Sequence, residues 1–273
     1  MQLPALKASL VQRIGWLGWS KWLALPVLPL LTLATRPWGR MFALMLVCSV
    51  FLSLMLFVAL RAWQTSLRRQ FIRESNFSRF LGAKLRAQYP QLGARDVELV
   101  LHGLRQFFMA HLRSQRQFVA MPSRVVDAAW HEFILHTRAY EAWCGVAFGK
   151  LMHHTPAEVL GRDPKRNDGL RRTWYWACKE ESINPRTPSR LPLLFALDKK
   201  FAIAGGFSYT PDCSDIDRKS GSGYYCGTSF GDGGVDGGSA GDSGSFGGSE
   251  SSSDGGSIGG DGDGGGGCGG GGD

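Results

Sequence analysis

The chain has 273 residues, with 31 Lys and Arg against 23 Asp and Glu and a formal net charge of +8. Its six cysteines (Cys48, Cys144, Cys178, Cys213, Cys226 and Cys268) form no C-x-x-C pair, which excludes a close-spaced metal knuckle and argues against a disulfide-stapled secreted fold. Residues 214–273 hold 25 glycines and ten acidic residues against Arg218 and Lys219, a net −8 that leaves +16 on residues 1–213.

In chain order, the first forty residues form an apolar and basic segment. Within it, WLALPVLPLLTLA (22–34) is interrupted by Pro26 and Pro29 and preceded by Trp16, Trp19 and Trp22. It reads either as the second half of a span beginning near Ile14 or as a proline-bent segment lying in the membrane interface. No small-x-small site follows it before Arg36, which argues against a cleaved signal peptide.

Residues 41–60, MFALMLVCSVFLSLMLFVAL, carry no charge. Twenty helical residues reach about 30 Å, the thickness of a bilayer's hydrocarbon core. Arg40 and Arg61 bracket the run, with Trp38 and Trp63 just outside it, where amphipathic rings favour the interface. A transmembrane helix is expected here. Arg61, Arg68, Arg69, Arg73 and Arg79 follow it against Lys21, Arg36 and Arg40 before it, which places the C-terminal part in the cytoplasm and the chain in a membrane, taken to be a bacterial inner membrane. The basic run reads either as the solvated start of a helix or as a surface that attracts anionic lipid headgroups through Arg61, Arg68, Arg69 and Arg73. No nucleic-acid-binding motif accompanies the charge.

From residue 61 to about 206 the apolar spacing is helical throughout, and an all-α fold of about five helices is expected. The first helix is placed from the membrane exit to Gln88, ahead of Pro90. The second, ARDVELVLHGLRQFFMAHLRSQ, puts Val97, Leu101, Leu104, Phe107 or Phe108, and Leu112 on one stripe. The third starts at the N-cap Ser123, with Asp127 in its first turn, and runs unbroken to about Phe148, ending at Gly149. NDGLRRTWYWACKEES and SRLPLLFALDKKFAI supply the fourth and fifth, and Gly205-Gly206 closes the ordered part. Residues 207–273 are expected to be a disordered tail, because they carry too little apolar surface to offset the entropy of ordering. Cys268 sits in polyglycine with no cation or helix dipole to activate it.

The third helix contains WHEFILH, one residue longer than the zinc-protease H-E-x-x-H. On a regular helix, residues four apart lie about 40° apart and can grip one ion, whereas His131 and His136, five apart, diverge by about 140°. Val126, Trp130, Phe133, Thr137, Tyr140, Cys144 and Ala147 form an apolar seam beside them. His131 flanks that seam, with Asp127 one turn earlier as a carboxylate able to fix its tautomer. The pair His153-His154 follows the helix end. Asp127, His131 and one of His153 or His154 thus form a candidate metal set for a divalent transition ion, since these are residue types that zinc or iron accept; Cys144 is conceivable beside them but reads most simply as a small buried hydrophobe.

Asp127-x-x-Trp130-His131-x-x-x-Leu135 with Tyr140 and Cys144 resembles the D-x-x-W-H-x-H-x-L…Y…C signature of glycine-rich domain-containing proteins. FGKLMHH, RLPLLFALD and the cysteine-bearing polyglycine tail resemble bacterial members of that group. Phe133 stands where the pattern often has a second histidine. The resemblance implies a helical module with a tail and names no reaction. Together these features point to a membrane-anchored interaction or scaffold module without a catalytic motif. The alternative is a metal-binding or metal-dependent enzyme domain centred on His131 with Asp127 and His153 or His154.

Overall fold

The computed structural model describes residues 8–35, 40–77, 79–154, 164–211, 224–226 and 230. Among them are eight helices and one short pair of parallel strands, so the all-α expectation holds. The tail beyond residue 230, Cys268 included, lies outside the described residues.

Helices α1 (Ala8–Thr35) and α2 (Arg40–Glu74) run antiparallel along one another. Thr32 Oγ1 lies 3.4 Å from Ser49 Oγ, the rings of Trp22 and Phe57 are 5.6 Å apart, and Lys21 Nζ donates to Gln64 Oε1 at 2.9 Å. Helix α1 passes through Pro26 and Pro29 without a break. The segment is therefore helical throughout. The stretches Ser9–Ala34 and Met41–Glu74 are each long and apolar enough to cross a membrane. Their middle portions leave Val27, Leu31, Val47 and Phe51 more than half exposed. The base of the hairpin behaves differently. Leu10, Ile14 and Leu17 are buried with Phe71 and Ile72 in the same core as the helical domain, and α1 touches α6 there.

The expected first helix of the domain is broken. Helix α2 ends at Glu74, and α3 (Arg79–Gln88) starts anew. Ser75 organises the break: Trp143 Nε1 donates to its hydroxyl at 2.9 Å, and Arg105 Nε donates to its carbonyl at 2.9 Å. The chain then delivers Phe77 edge-on to Phe133 and tilted against Phe108 and Trp143, at centroid separations of 5.5–6.0 Å. Such pairs each add about 0.5–1.5 kcal/mol beyond area burial, which offsets the lost helical turn.

Helix α4 (Ala94–Arg113) is the central element and contacts α2, α3, α5 and the last two helices. The single long helix expected between Ser123 and Phe148 is two: α5 (Arg124–Ile134) and α6 (Thr137–Phe148), separated by exposed Leu135 and by His136, whose ψ of 59° is not helical. The kink lets the rings of both halves enter one cluster, because Trp130, Phe133 and Trp143 all surround Phe108. Helices α7 (Pro164–Glu180) and α8 (Leu193–Lys200) close the domain. The start of α8 is satisfied from outside, since Glu181 Oε1 accepts from Leu193 N and Gln106 Oε1 accepts from Leu194 N.

The packed part extends past Gly206, where disorder was expected. Strand β1 (Ser208–Thr210) pairs with β2 (Tyr224–Cys226), and Phe230 is buried against Trp174, Phe195 and Tyr209. Aromatic residues at 209 and 230 supply apolar surface that a composition average over a glycine-rich tail conceals.

Asp198, in the last turn of α8, is buried and accepts four hydrogen bonds: from Ser123 Oγ (2.7 Å), Arg124 N (2.7 Å), Val125 N (3.1 Å) and Phe207 N (3.0 Å). It thereby joins the start of α5, the end of α8 and the approach to β1. Replacing Asp198 by Ala strands four donors, each costing about 1–3 kcal/mol if left unpaired. Allowing for partial relaxation, the expected loss is about 3–5 kcal/mol, read from urea unfolding of the detergent-solubilised protein by circular dichroism.

Candidate metal centre

Helix α5 starts where Asp198 and the Ser123 cap satisfy its first N–H groups, Ser123 Oγ also accepting from Val126 N. With that start fixed, Val125, Val126, Ala129, Trp130 and Phe133 face inward and Asp127 and His131, four apart, share the outer flank. After α6, Gly149 turns the chain in the left-handed region (φ 79°), a conformation that costs a side-chain-bearing residue energy. The segment 151–154 then runs back along α5.

Tyr140 fastens that returning segment. Its buried hydroxyl donates to the Met152 carbonyl at 2.5 Å and accepts from Trp130 Nε1 at 3.1 Å. Burial raises the phenol far above its ordinary range, so it acts as a fixed O–H donor. Two residues beyond Met152, the His154 imidazole lies edge-on to the Trp130 ring, 4.6 Å between centroids, and edge-on to the His131 ring, also 4.6 Å. His154 Nε2 donates to Asp127 Oδ1 at 3.0 Å.

One ligand atom from each of Asp127, His131 and His154 therefore lies within 4.8 Å of the others. Four-coordinate zinc with bonds of about 2.0–2.2 Å needs its ligand atoms about 3.3 Å apart. The Asp127 and His154 atoms, 3.0 Å apart in their hydrogen bond, are near this spacing, and a metal ion would take the place of the shared proton. His131 is exposed, so its side chain is free to rotate through the remaining distance. Asp127 and His154 are partly buried, with side-chain exposures of 37% and 12%. The donor set is two nitrogens and one oxygen, with His131 on its exposed side.

Of the residues singled out in the sequence, the structure thus brings together Asp127, His131 and His154. His153 is exposed and is not part of the group. Asp127 pairs with His154 and not with His131, the partner that helical spacing suggested. Cys144 is fully buried beside Tyr140, where desolvation raises its thiol pKa, and it is the small buried core residue that its place in the seam suggested. His136 also stands apart, as the residue that opens α6. Phe133, at the position where a second histidine was noted, faces the aromatic core and carries no ligand.

Two supporting residues escaped the sequence reading. Tyr140 was assigned only to a packing seam, and Asp198 had no role. A signal for Asp198 did exist: a carboxylate in the last turn of a helix opposes that helix's own dipole, so it is better placed serving another element.

A protein-family model described as UCP032817-like matches residues 67–230, more than half of the chain. The protein belongs to the UCP032817-like family. No curated protein and no solved structure matches the chain. The UCP032817-like region begins past the apolar part of α2 and ends at Phe230, the last of the described residues. It includes all three residues of the cluster and leaves out α1 and the end of the glycine-rich tail.

Tyr140→Phe removes no candidate ligand but frees Met152 and hence the position of His154. Outer-shell changes of this type cost about 10- to 100-fold in metal affinity. Zinc affinity by isothermal titration is expected to fall at least tenfold in Y140F, with helical circular dichroism retained.

Proposed function

We propose that the protein is a membrane-anchored helical module that holds a divalent transition metal through Asp127, His131 and His154. The observation that carries the reading is the convergence of these side chains at the surface, two from one helical flank and one from a segment that a buried tyrosine holds in place. Two imidazoles with one carboxylate suit zinc and iron(II). Three protein ligands leave at least one position open to water or to a donor from a partner. In that sense the metal is the chemistry an interaction module presents, and the two functional readings of the sequence merge.

Anchoring is supported by the α1–α2 hairpin, whose apolar side chains are exposed over its middle while its base is built into the domain core. The arginine excess after the apolar run favours placing the domain on the cytoplasmic side. The D-x-x-W-H pattern and the glycine-rich tail support a kinship with glycine-rich domain-containing proteins, in which a helical module carries such a tail.

Metal binding is tested on the full chain in detergent, stripped with chelator and titrated with Zn²⁺. One equivalent is expected to bind. His131→Ala and His154→Ala should each weaken binding by more than tenfold, and His153→Ala should leave it unchanged. No saturable binding, or unaltered binding in the doubly substituted H131A/H154A protein, overturns the proposal.

A further inference from the structure

The basic run after the apolar segment does not act as a unit. Arg73 Nη2 and Arg113 Nη2 each lie 2.8 Å from a carboxylate oxygen of Glu180, so both have a carboxylate partner within the fold. Lys21, Arg61, Arg68 and Arg116 are arranged otherwise. They come from α1, from α2 and from the turn after α4: Lys21 reaches Gln64, which lies between Arg61 and Arg68 on α2, and the turn carrying Arg116 is bonded to His111, whose ring packs on Phe148, the residue whose carbonyl Arg68 holds. Among the described residues no carboxylate pairs with any of the four.

Several features hold this cluster against its own repulsion. Lys21 is tied to the amide of buried Gln64, whose Nε2 in turn donates to the Ile14 carbonyl at 3.1 Å. Arg68 is only 8% exposed; one Nη donates to the Phe148 carbonyl at 3.3 Å, while its buried Nε–H has no acceptor. Its guanidinium lies over Gly149, where an added Cβ would stand 2.8 Å from Nη2. Gln115 and Arg116 both take positive φ, 56° and 64°, in a turn closed by Arg116 N donating to the His111 carbonyl. Two successive non-glycine residues in the left-handed region store strain of about 1 kcal/mol or more each. His111 beneath the turn adds no charge, because burial pushes its imidazole down to about 4.

An unpaired buried guanidinium N–H and mutually repelling cations are costly in the absence of an anion. The level of the cluster along the hairpin indicates which anion. Lys21 precedes Trp22 directly and Arg61 lies two residues before Trp63, both rings more than half exposed, at the end of the apolar stretch, where headgroups meet the hydrocarbon. We propose that Lys21, Arg61, Arg68 and Arg116 form a binding site for the phosphate of an anionic phospholipid headgroup. The site rests on the membrane-anchored reading and specifies the lipid class that the hairpin base selects.

The experiment uses the full chain in a neutral detergent, with melting temperature read against added short-chain phosphatidylglycerol, short-chain phosphatidylcholine or inorganic phosphate. Phosphatidylglycerol is expected to raise the melting temperature by several degrees, less at high salt, and the other two to leave it unchanged. Arg116→Gln, an exposed change, should weaken the half-maximal effect about five- to tenfold, as should Arg68→Gln if it folds. Arg73→Gln, whose partner is Glu180, should respond as wild type. An equal shift with phosphatidylcholine, an equal shift with inorganic phosphate, no shift, or an undiminished response in R116Q overturns the headgroup site. Anchoring is read separately: release of the chain from membranes by alkaline carbonate would count against the anchor itself, whereas retention without lipid selectivity would count against the headgroup site alone.

Discussion

The carboxylate of Asp198, buried at the end of one helix and spent on the start of another, sets the position of α5, which carries two of the three side chains of the candidate metal centre. Its two oxygens collect Ser123 Oγ, the N–H groups of Arg124 and Val125, and Phe207 N, which fixes the first turn of α5 in both phase and height. Helical phase is what matters chemically. A rotation of α5 by one residue, about 100°, would send Trp130 and Phe133 outward and bring Asp127 and His131 off their shared flank. The negative charge suits the N-terminal end of α5 for the reason that it is out of place in α8.

A second constraint comes from the aromatic cluster around Phe108. Seven aromatic rings (Phe77, Phe107, Trp130, Phe133, Trp143, Phe148 and Phe108 itself) lie within mutual contact distances of it. To place them, the chain gives up helical continuity twice, at residues 75–77 and at 135–136. The second break turns α6 so that Tyr140 faces both Trp130 and the returning segment. That hydroxyl is the link between core packing and the site, since it connects the ring behind His131 with the backbone two residues before His154.

Much of this was legible in the sequence, and the parts that were not have physical causes. The uncharged run at 41–60, the stripe on α4 and the Ser123 cap are local signals, and each element appears where its signal lies. The breaks at 75–77 and 135–136 are not local, because the apolar seam continues through the second and only the shared cluster requires the bend. Asp127 and His131 were readable from spacing on one helix. The choice between His153 and His154 was not, because adjacent residues in a loop are separated only by backbone direction, and a tyrosine twelve residues away from the acceptor sets that direction. The extent of the packed chain was also misjudged at its end. Tyr209 and Phe230 each contribute a ring to the core from within a glycine-rich composition.

The structure unites an apolar hairpin, whose base is part of the domain core, with a surface cluster of two imidazoles and a carboxylate, supported by outer-shell hydrogen bonds. We propose that this cluster ligates a transition metal. Zinc K-edge X-ray absorption of the zinc-loaded protein tests it most directly. Nitrogen and oxygen neighbours at about 2.0–2.2 Å, with outer-shell scattering from two imidazoles, are the predicted result. A sulfur neighbour at about 2.3 Å, or the absence of imidazole scattering, would contradict the assignment to Asp127, His131 and His154.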